Sequence, residues 1–207
     1  MNIVVLGATG NAGREIVTEA ARRGHTVTAV SRHEPTDALP AGATWQAGDA
    51  TAPADVARLA AGADAVVSAI GPSREPGGDP TAFAEVLRGV AGSVGTARLA
   101  VVGGAGSLEA APGVRLVDSP DFPEAYKAEA LAHGDALAVL KAADPALDWT
   151  YLSPAPILAP GERTGRYRTG TDSPVGESIS FADYAIALVD ELERPAHVRS
   201  RWTVASA

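Results

Sequence analysis

The 207-residue chain contains no cysteine, which removes disulfide bonds, thiolate catalysis and zinc-thiolate centres together and fits a reducing compartment. It is also short of positive charge. Its 17 Lys and Arg residues stand against 25 Asp and Glu, a formal net charge of -8, so neither nucleic acid nor an anionic membrane finds overall electrostatic support. An anionic ligand would need a local site. Long apolar runs are missing as well: Met1 to Leu6 is too short for a signal peptide and lacks its basic start, and no later segment approaches the roughly 20 apolar residues of a membrane span. His25, His33 and His197 have no partner at metal-ligand spacing and no H-E-x-x-H occurs, so no metal site is expected. These absences predict a soluble, cytoplasmic protein whose partner is a small molecule, with no nucleic acid and no membrane. What is present, 46% hydrophobic and 20% charged residues without an internal repeat, describes an ordinary globular chain of a length that suits one domain.

Short β-branched runs alternate with longer amphipathic stretches. Ile3 to Leu6, Thr26 to Val30, Thr44 to Ala47, Ala65 to Ala69, Leu99 to Val102 and Trp149 to Leu152 read as strands. Arg14 to Arg23, Ala54 to Ala61, the segment carrying Phe83, Val86, Leu87, Val90 and Val94, and Pro123 to Ala143 read as helices between them. This rhythm predicts an α/β fold with a doubly wound parallel sheet of at least six strands, because apolar runs without in/out alternation suit strands covered on both faces. Ser153 to Gly176, rich in proline and glycine, reads as loop. Order returns at Ser180, where Ser180 and Asp183 resemble a helix start and Phe181, Tyr184, Leu188 and Leu192 share a face; Arg201 to Val204 supplies a last strand.

The stretch GATGNAG, residues 7 to 13, follows the first strand and opens the first helix. Its Gly7, Gly10 and Gly13 differ in spacing from the G-x-G-x-x-G fingerprint but meet the same needs: a tight turn, close approach of the backbone to a pyrophosphate, and close helix–strand packing. Amides at the helix start would hold the phosphates, with Thr9 and Asn11 adding hydrogen bonds. After the second strand, where NAD-binding chains place a carboxylate, stand Ser31 and Arg32. An arginine fork and a serine hydroxyl pair with a 2′-phosphate, which predicts NADP(H) as cofactor, with NAD(H) less favoured. Two readings of Asp49 stand side by side, an acceptor for the adenine amino group or a helix cap ahead of Ala54. Ala69, Ile70 and Gly71 after the fourth strand, and Gly103 with its neighbours after the fifth, are small-residue loops where parallel sheets bind ligands. Ser73 and Arg74 either reach the cofactor phosphates or belong to a solvated loop.

At this point the chain resembles the atypical short-chain dehydrogenase/reductases, in particular their NAD(P)H-binding group of the NADH-flavin reductase type, related to biliverdin-IXβ/flavin reductase and to the NmrA-like redox-sensing regulators. The resemblance rests on GATGNAG, VSR after the second strand, AGDAT after the third, VVGGAGSLE after the fifth, DWTYLSPAP from Asp148 and ISFADYA from Ile179. It implies a single NAD(P)-binding Rossmann domain over residues 1–207, with 153–180 as a loop-rich segment on the substrate side. It also implies cofactor contacts at Gly7, Thr9, Gly10, Asn11, Ala12, Gly13, Arg32, Asp49, Ala69 and Gly71, with Pro154 and Ala155 near the nicotinamide.

One family feature is missing. Many relatives use a serine after the fifth strand and Tyr-x-x-x-Lys on the next helix, the lysine lowering the tyrosine pKa for proton transfer. Ser107 and Tyr126 are the catalytic candidates here, but the residue four beyond Tyr126 is Ala130, and Lys127 is a poor substitute because adjacent helix positions face apart. The gap favours an acceptor that needs little protein acid/base help, a flavin or quinone, over a carbonyl or alcohol. Tyr126 then either lines the pocket or packs inside with Leu137 and Leu140. His133, about two turns on, is either a proton donor or a satisfied buried histidine. Arg163, Arg166 and Arg168 either recognise an anionic substrate or form a solvated lid. A non-catalytic NADP(H)-binding regulator is the alternative function, and the apolar helix faces permit a monomer or a homodimer.

Overall fold

A computed structural model of the chain describes residues 1–74 and 78–207. In chain order its elements are β1 (Asn2–Leu6), α1 (Asn11–Arg22), β2 (Thr26–Ser31), β3 (Ala43–Ala47), α2 (Pro53–Ala60), β4 (Ala65–Ser68), α3 (Phe83–Ala91), β5 (Arg98–Val102), β6 (Glu109–Ala111), β7 (Val114–Arg115), α4 (Glu124–Lys141), β8 (Trp149–Pro154), β9 (Ile157–Ala159), β10 (Tyr167–Gly170), β11 (Ser178–Ser180), α5 (Phe181–Glu193) and β12 (Ser200–Ser206). The main sheet runs β10-β12-β8-β5-β4-β1-β2-β3. Every neighbouring pair is parallel except β10 on β12.

Burial explains this arrangement. β4 and β5 are buried at every position, as a strand covered on both faces must be. On one face lie α1 and α5, which pack on each other and bury Ile16, Val17, Leu188 and Trp202. On the other lie α2, α3 and α4, burying Val56, Leu87, Leu140, Trp149 and Tyr151. Each fully buried large apolar side chain contributes about 1.5–3 kcal/mol relative to exposure, so the two layers carry most of the stabilisation. α5 starts where the sequence predicts: Ser180 Oγ accepts from the Asp183 amide at 3.0 Å.

From β1 the chain builds outward through β2 to β3, then returns to the other side of β1 with β4. The β1/β4 boundary is therefore the topological switch point, and the crevice above their C-terminal ends is where such sheets bind ligands. The stretch read as loop from Ser153 to Gly176 is more ordered than expected. β9 pairs with β11 as a small parallel sheet, and β10 adds an antiparallel edge to the main one. Their residues, Ile157–Ala159, Tyr167–Gly170 and Ser178–Ser180, are short and mostly exposed or half-buried, so they carry no apolar signature.

Candidate functional site

The glycine turn sits at the switch point and divides into two kinds of position. Gly7 has φ +79°, and a Cβ there would stand 2.8 Å from the Ala69 carbonyl oxygen, so both conformation and packing require glycine. A Cβ on Gly13 would collide with the Gly7 carbonyl oxygen, which fixes the close approach of α1 to the turn. Gly10 is different. It is exposed, its φ of -73° is open to any residue, and a Cβ would meet only the Gly7 oxygen at 3.4 Å. Among the described residues, nothing requires a glycine here.

Gly10 is also the N-cap of α1 and has no side chain with which to cap it. The first amide to bond back along the helix is that of Arg14, to the Gly10 carbonyl at 2.9 Å. The amides of Asn11, Ala12 and Gly13 precede this ladder, and the first turn holds no acidic residue, so the positive end of the helix dipole meets the crevice uncompensated. Across the switch point Ala69 and Ile70 are half-buried against the two core layers, while Gly71 has open space around it. These residues fit a dinucleotide pyrophosphate: a helix start without a cap, and a glycine whose missing side chain leaves a cradle.

At the end of β2 the Ser31 hydroxyl donates to the His33 carbonyl at 2.6 Å and accepts from the Trp45 indole at 3.0 Å. Its one proton is therefore engaged, and toward a phosphate it acts by shape rather than as a donor. Arg32 lies close enough to Asp49 to help hold that carboxyl below its usual range, although the Thr51 amide and hydroxyl contribute most. Asp49 Oδ1 accepts from both Thr51 groups, at 2.8 and 2.7 Å, in a turn ahead of α2. The N-cap of α2 is Ala52, so Asp49 is not the helix cap that the sequence allows.

In the loop after β5 the glycines are packed by the protein itself. A Cβ on Gly103 would run into the Tyr151 ring, one on Gly104 would stand 2.8 Å from His133 Cγ, and one on Gly106 would stand 2.5 Å from Ala130 Cβ. These glycines make room for protein. Tyr151, fully buried, accepts from the Gly104 amide at 3.2 Å and donates to the His133 carbonyl at 3.1 Å, and burial pushes its phenol well above the ordinary range. His133 stands edge-on to Phe83, and its burial brings its pKa down to about 4, so the imidazole is neutral at pH 7. Of the two readings of His133, the geometry fits the satisfied buried one.

Ser107 is buried in the turn 105–107, its Oγ without a hydrogen-bond partner among the described residues. Tyr126 is 63% exposed in the first turn of α4, so it does not pack with Leu137 and Leu140, which are buried farther along the helix. Ala130, four residues after Tyr126, is 8% exposed and packs against Gly106. Lys127 pairs with Glu124 at 3.6 Å instead. Arg74, in the loop after β4, crosses to Glu129 on α4 with hydrogen bonds of 3.0 and 2.5 Å, a contact absent from the sequence reading although Glu129 shares the Tyr126 side of the helix.

Pro154 and Ala155 are buried at the end of β8, Pro154 opposite Val204 of β12. The late segment is anchored by two buried acids, Asp183, read in the sequence only as part of a helix start, and Glu19, to which the sequence did not point. Asp183 accepts from the Thr164 and Gly165 amides, both at 2.9 Å, and from the Thr164 hydroxyl at 2.6 Å; Glu19 takes Arg163 at 3.0 and 3.1 Å. Arg168 donates to the Ser206 carbonyl, and all three arginines, Arg163, Arg166 and Arg168, are exposed.

A doubly wound sheet with an uncapped, glycine-lined helix start at its switch point defines a dinucleotide-binding protein of the Rossmann type. The chain belongs to the NAD(P)H-binding family, whose model matches residues 7–195. It is similar to a solved structure from Burkholderia pseudomallei described as a "putative exported protein", at 48% identity over 99% of both chains with a TM-score of 0.86. It is also similar to a "putative epimerase" from Bacteroides thetaiotaomicron, at 38% identity over 99% of this chain and 96% of that one, TM-score 0.88. A "putative NADH-flavin reductase" from Streptococcus pneumoniae matches at 35% identity over the whole of both chains, again with a TM-score of 0.88. Among the described residues, no helix is long and apolar enough to cross a membrane.

Proposed function

We propose that this protein is an NAD(P)H-dependent oxidoreductase of the atypical short-chain dehydrogenase/reductase kind, preferring NADPH and reducing a small planar acceptor such as a flavin or quinone. The observation that carries the choice of acceptor is the seat of Ala130 against Gly106. It puts a packed alanine at the position from which a lysine would act on Tyr126, while His133 is neutral and bonded inside the protein. A carbonyl or alcohol needs a protein group to exchange its proton; a flavin or quinone takes protons from water and needs mainly to be positioned. The streptococcal relative's description as an NADH-flavin reductase points the same way.

In this reading Gly7, Thr9, Gly10, Asn11, Ala12 and Gly13 hold the pyrophosphate through backbone amides. Arg32, with Ser31 shaping the turn, takes the 2′-phosphate. Asp49, Ala69, Ile70 and Gly71 flank the adenine half, and Pro154 and Ala155 form the floor under the nicotinamide, which supplies hydride when bound. Gly103 supports this floor from within by admitting Tyr151. Ser107 and Tyr126 border the acceptor without a proton-transfer duty. The whole chain acts as one cofactor domain, with 153–180 on the acceptor side, and works in the cytoplasm as a monomer or homodimer. The same lack of a proton donor supports a second reading, a regulator that binds NADP(H) without turnover.

Calorimetric titration with NADPH and NADH, followed by NADPH oxidation with FMN, FAD, riboflavin and quinones, tests this. Micromolar NADPH binding much tighter than NADH is expected, with turnover of at least one acceptor. Arg32→Asp should weaken NADPH by about 10–100-fold and spare NADH. Tight binding with background turnover throughout selects the regulator, and equal losses of both cofactors in Arg32→Asp overturn the NADPH assignment.

A further inference from the structure

A cleft of about 150 Å³ opens beside the glycine turn, between α1 and the segment 35–40 that follows β2. Ala29 and Trp45 form part of its floor, and Thr9, Ser31, Arg14 and Asp37 stand around it. Arg14 is held in place: its Nε donates to the Thr9 carbonyl at 2.9 Å, and one terminal nitrogen meets Asp37 Oδ2 at 3.1 Å. Both side chains of this pair are more than half exposed, at 53% and 75%.

The position of Arg14 is electrostatically unusual. It lies in the first turn of α1, where the helix dipole is positive and cations are disfavoured, and no acidic residue shares that turn. Arg32 directly follows β2, one residue beyond the Ser31 that lines the cleft. A guanidinium and a helix N-terminus thus stand together beside this cleft, with the exposed Asp37 carboxylate as the partner of Arg14. A phosphomonoester dianion has twice that charge and three acceptor oxygens, and an arginine fork matches it in geometry.

We propose that Arg14 is a second ligand for the 2′-phosphate of NADPH and that Asp37 is a built-in competitor for it, an ionic latch that sets how strongly the protein discriminates between NADPH and NADH. The latch rests on the NADPH reading given above. In the free protein Asp37 holds the Arg14 guanidinium over the cleft. The phosphate of an incoming cofactor takes the guanidinium and releases the carboxylate to solvent. NADH, whose 2′-hydroxyl carries no charge, has no cause to open the pair, so its affinity is indifferent to Asp37. Being exposed, the latch also weakens with salt, and the tax on NADPH binding falls as ionic strength rises.

The test is calorimetric binding of NADPH, NADH and the probe 2′,5′-ADP to the wild type, Asp37→Asn, Arg14→Gln and the double variant, with Tm checked for each. Asp37→Asn should bind NADPH and 2′,5′-ADP about two- to fivefold more tightly, the range set by an exposed ion pair, and leave NADH unchanged. Arg14→Gln should weaken both phosphorylated ligands by about tenfold or more. In the Arg14→Gln background the gain from Asp37→Asn should vanish. The latch is overturned by an Asp37→Asn gain that persists without Arg14, by an equal shift for NADH, or by weaker NADH binding, which would make Asp37 a ribose ligand. NADPH preference that survives Arg14→Gln at full strength while Arg32→Asp abolishes it removes the latch and keeps the NADPH reading. If the wild type shows no preference, that reading fails; the latch then stands if Asp37→Asn creates one and falls if it does not.

Discussion

In the loop after β1, glycines 7 and 13 are pressed against backbone while a Cβ on Gly10 between them would make only an ordinary contact with the Gly7 oxygen; in the loop after β5, Gly103, Gly104 and Gly106 are filled from within by Tyr151, His133 and Ala130. Both loops follow inner parallel strands, and on composition alone both qualify as ligand cradles. The difference lies in what a side chain would meet. A glycine forced by the chain's own packing reports on the fold, whereas a glycine that nothing in the chain requires reports on something outside it. Only the first loop passes this test, and it also carries the uncapped helix start.

The sharpest way to break the comparison is to fill both loops with one methyl group each. Gly103→Ala drives a Cβ into the ring of Tyr151, whose hydroxyl is tied to Gly104 and His133 and cannot retreat. Overpacking of this kind should cost about 3 kcal/mol and lower Tm by roughly 10 °C, read by calorimetric melting. A change of less than about 1 kcal/mol would mean that the loop is plastic and that its glycines are not structural.

The β5 loop should also make the fold sensitive to acid. His133 titrates at about 4 in the folded protein because it is buried, against an ordinary value of 6.5. The unfolded chain thus binds a proton that the native state refuses, so stability is full above pH 6.5 and falls as pH drops toward 4. Between pH 7 and 5 this group alone should remove about 2 kcal/mol. Carboxylates titrate lower in the same range, so the measurement is the difference in Tm against pH between the wild type and His133→Asn. Parallel curves would show that the imidazole is not held neutral.

Gly10→Ala sharpens the other side of the comparison. Its φ and surroundings accept a methyl group, so the free energy of unfolding should stay within about 1 kcal/mol of wild type while NADPH binding weakens by about tenfold, the effect of holding a pyrophosphate away from the helix amides. Unchanged binding would place the cofactor elsewhere.

The βαβ order was readable because strands covered on both faces leave unbroken apolar runs, and the GATGNAG turn because the chain's start couples such a run to a helix. The late strands were not, since Tyr167–Gly170 sits at the sheet edge with two of its four residues exposed and leaves no alternation to read. The site's other half was hidden for a different reason. That Ala130 meets Gly106, or that Asp183 ties down Thr164, depends on contacts between distant parts of the chain. Tyr126 illustrates the limit well: the spacing to Leu137 and Leu140 is right for one helix face, but the first turn of α4 overhangs the core, and the phenol ends in solvent.

The smallest expected effect concerns that phenol. If the acceptor takes its proton from water, Tyr126→Phe should leave kcat/KM for NADPH-dependent reduction of FMN or a quinone within about twofold of wild type, because neither Ala130 nor Lys127 is placed to make the hydroxyl acidic and the ring itself is kept. Steady-state rates at pH 6 and pH 8 decide the point. A loss of tenfold or more, growing with pH as the solution supply of protons falls, would put the hydroxyl in the reaction after all and would turn the reading of the acceptor back toward a carbonyl.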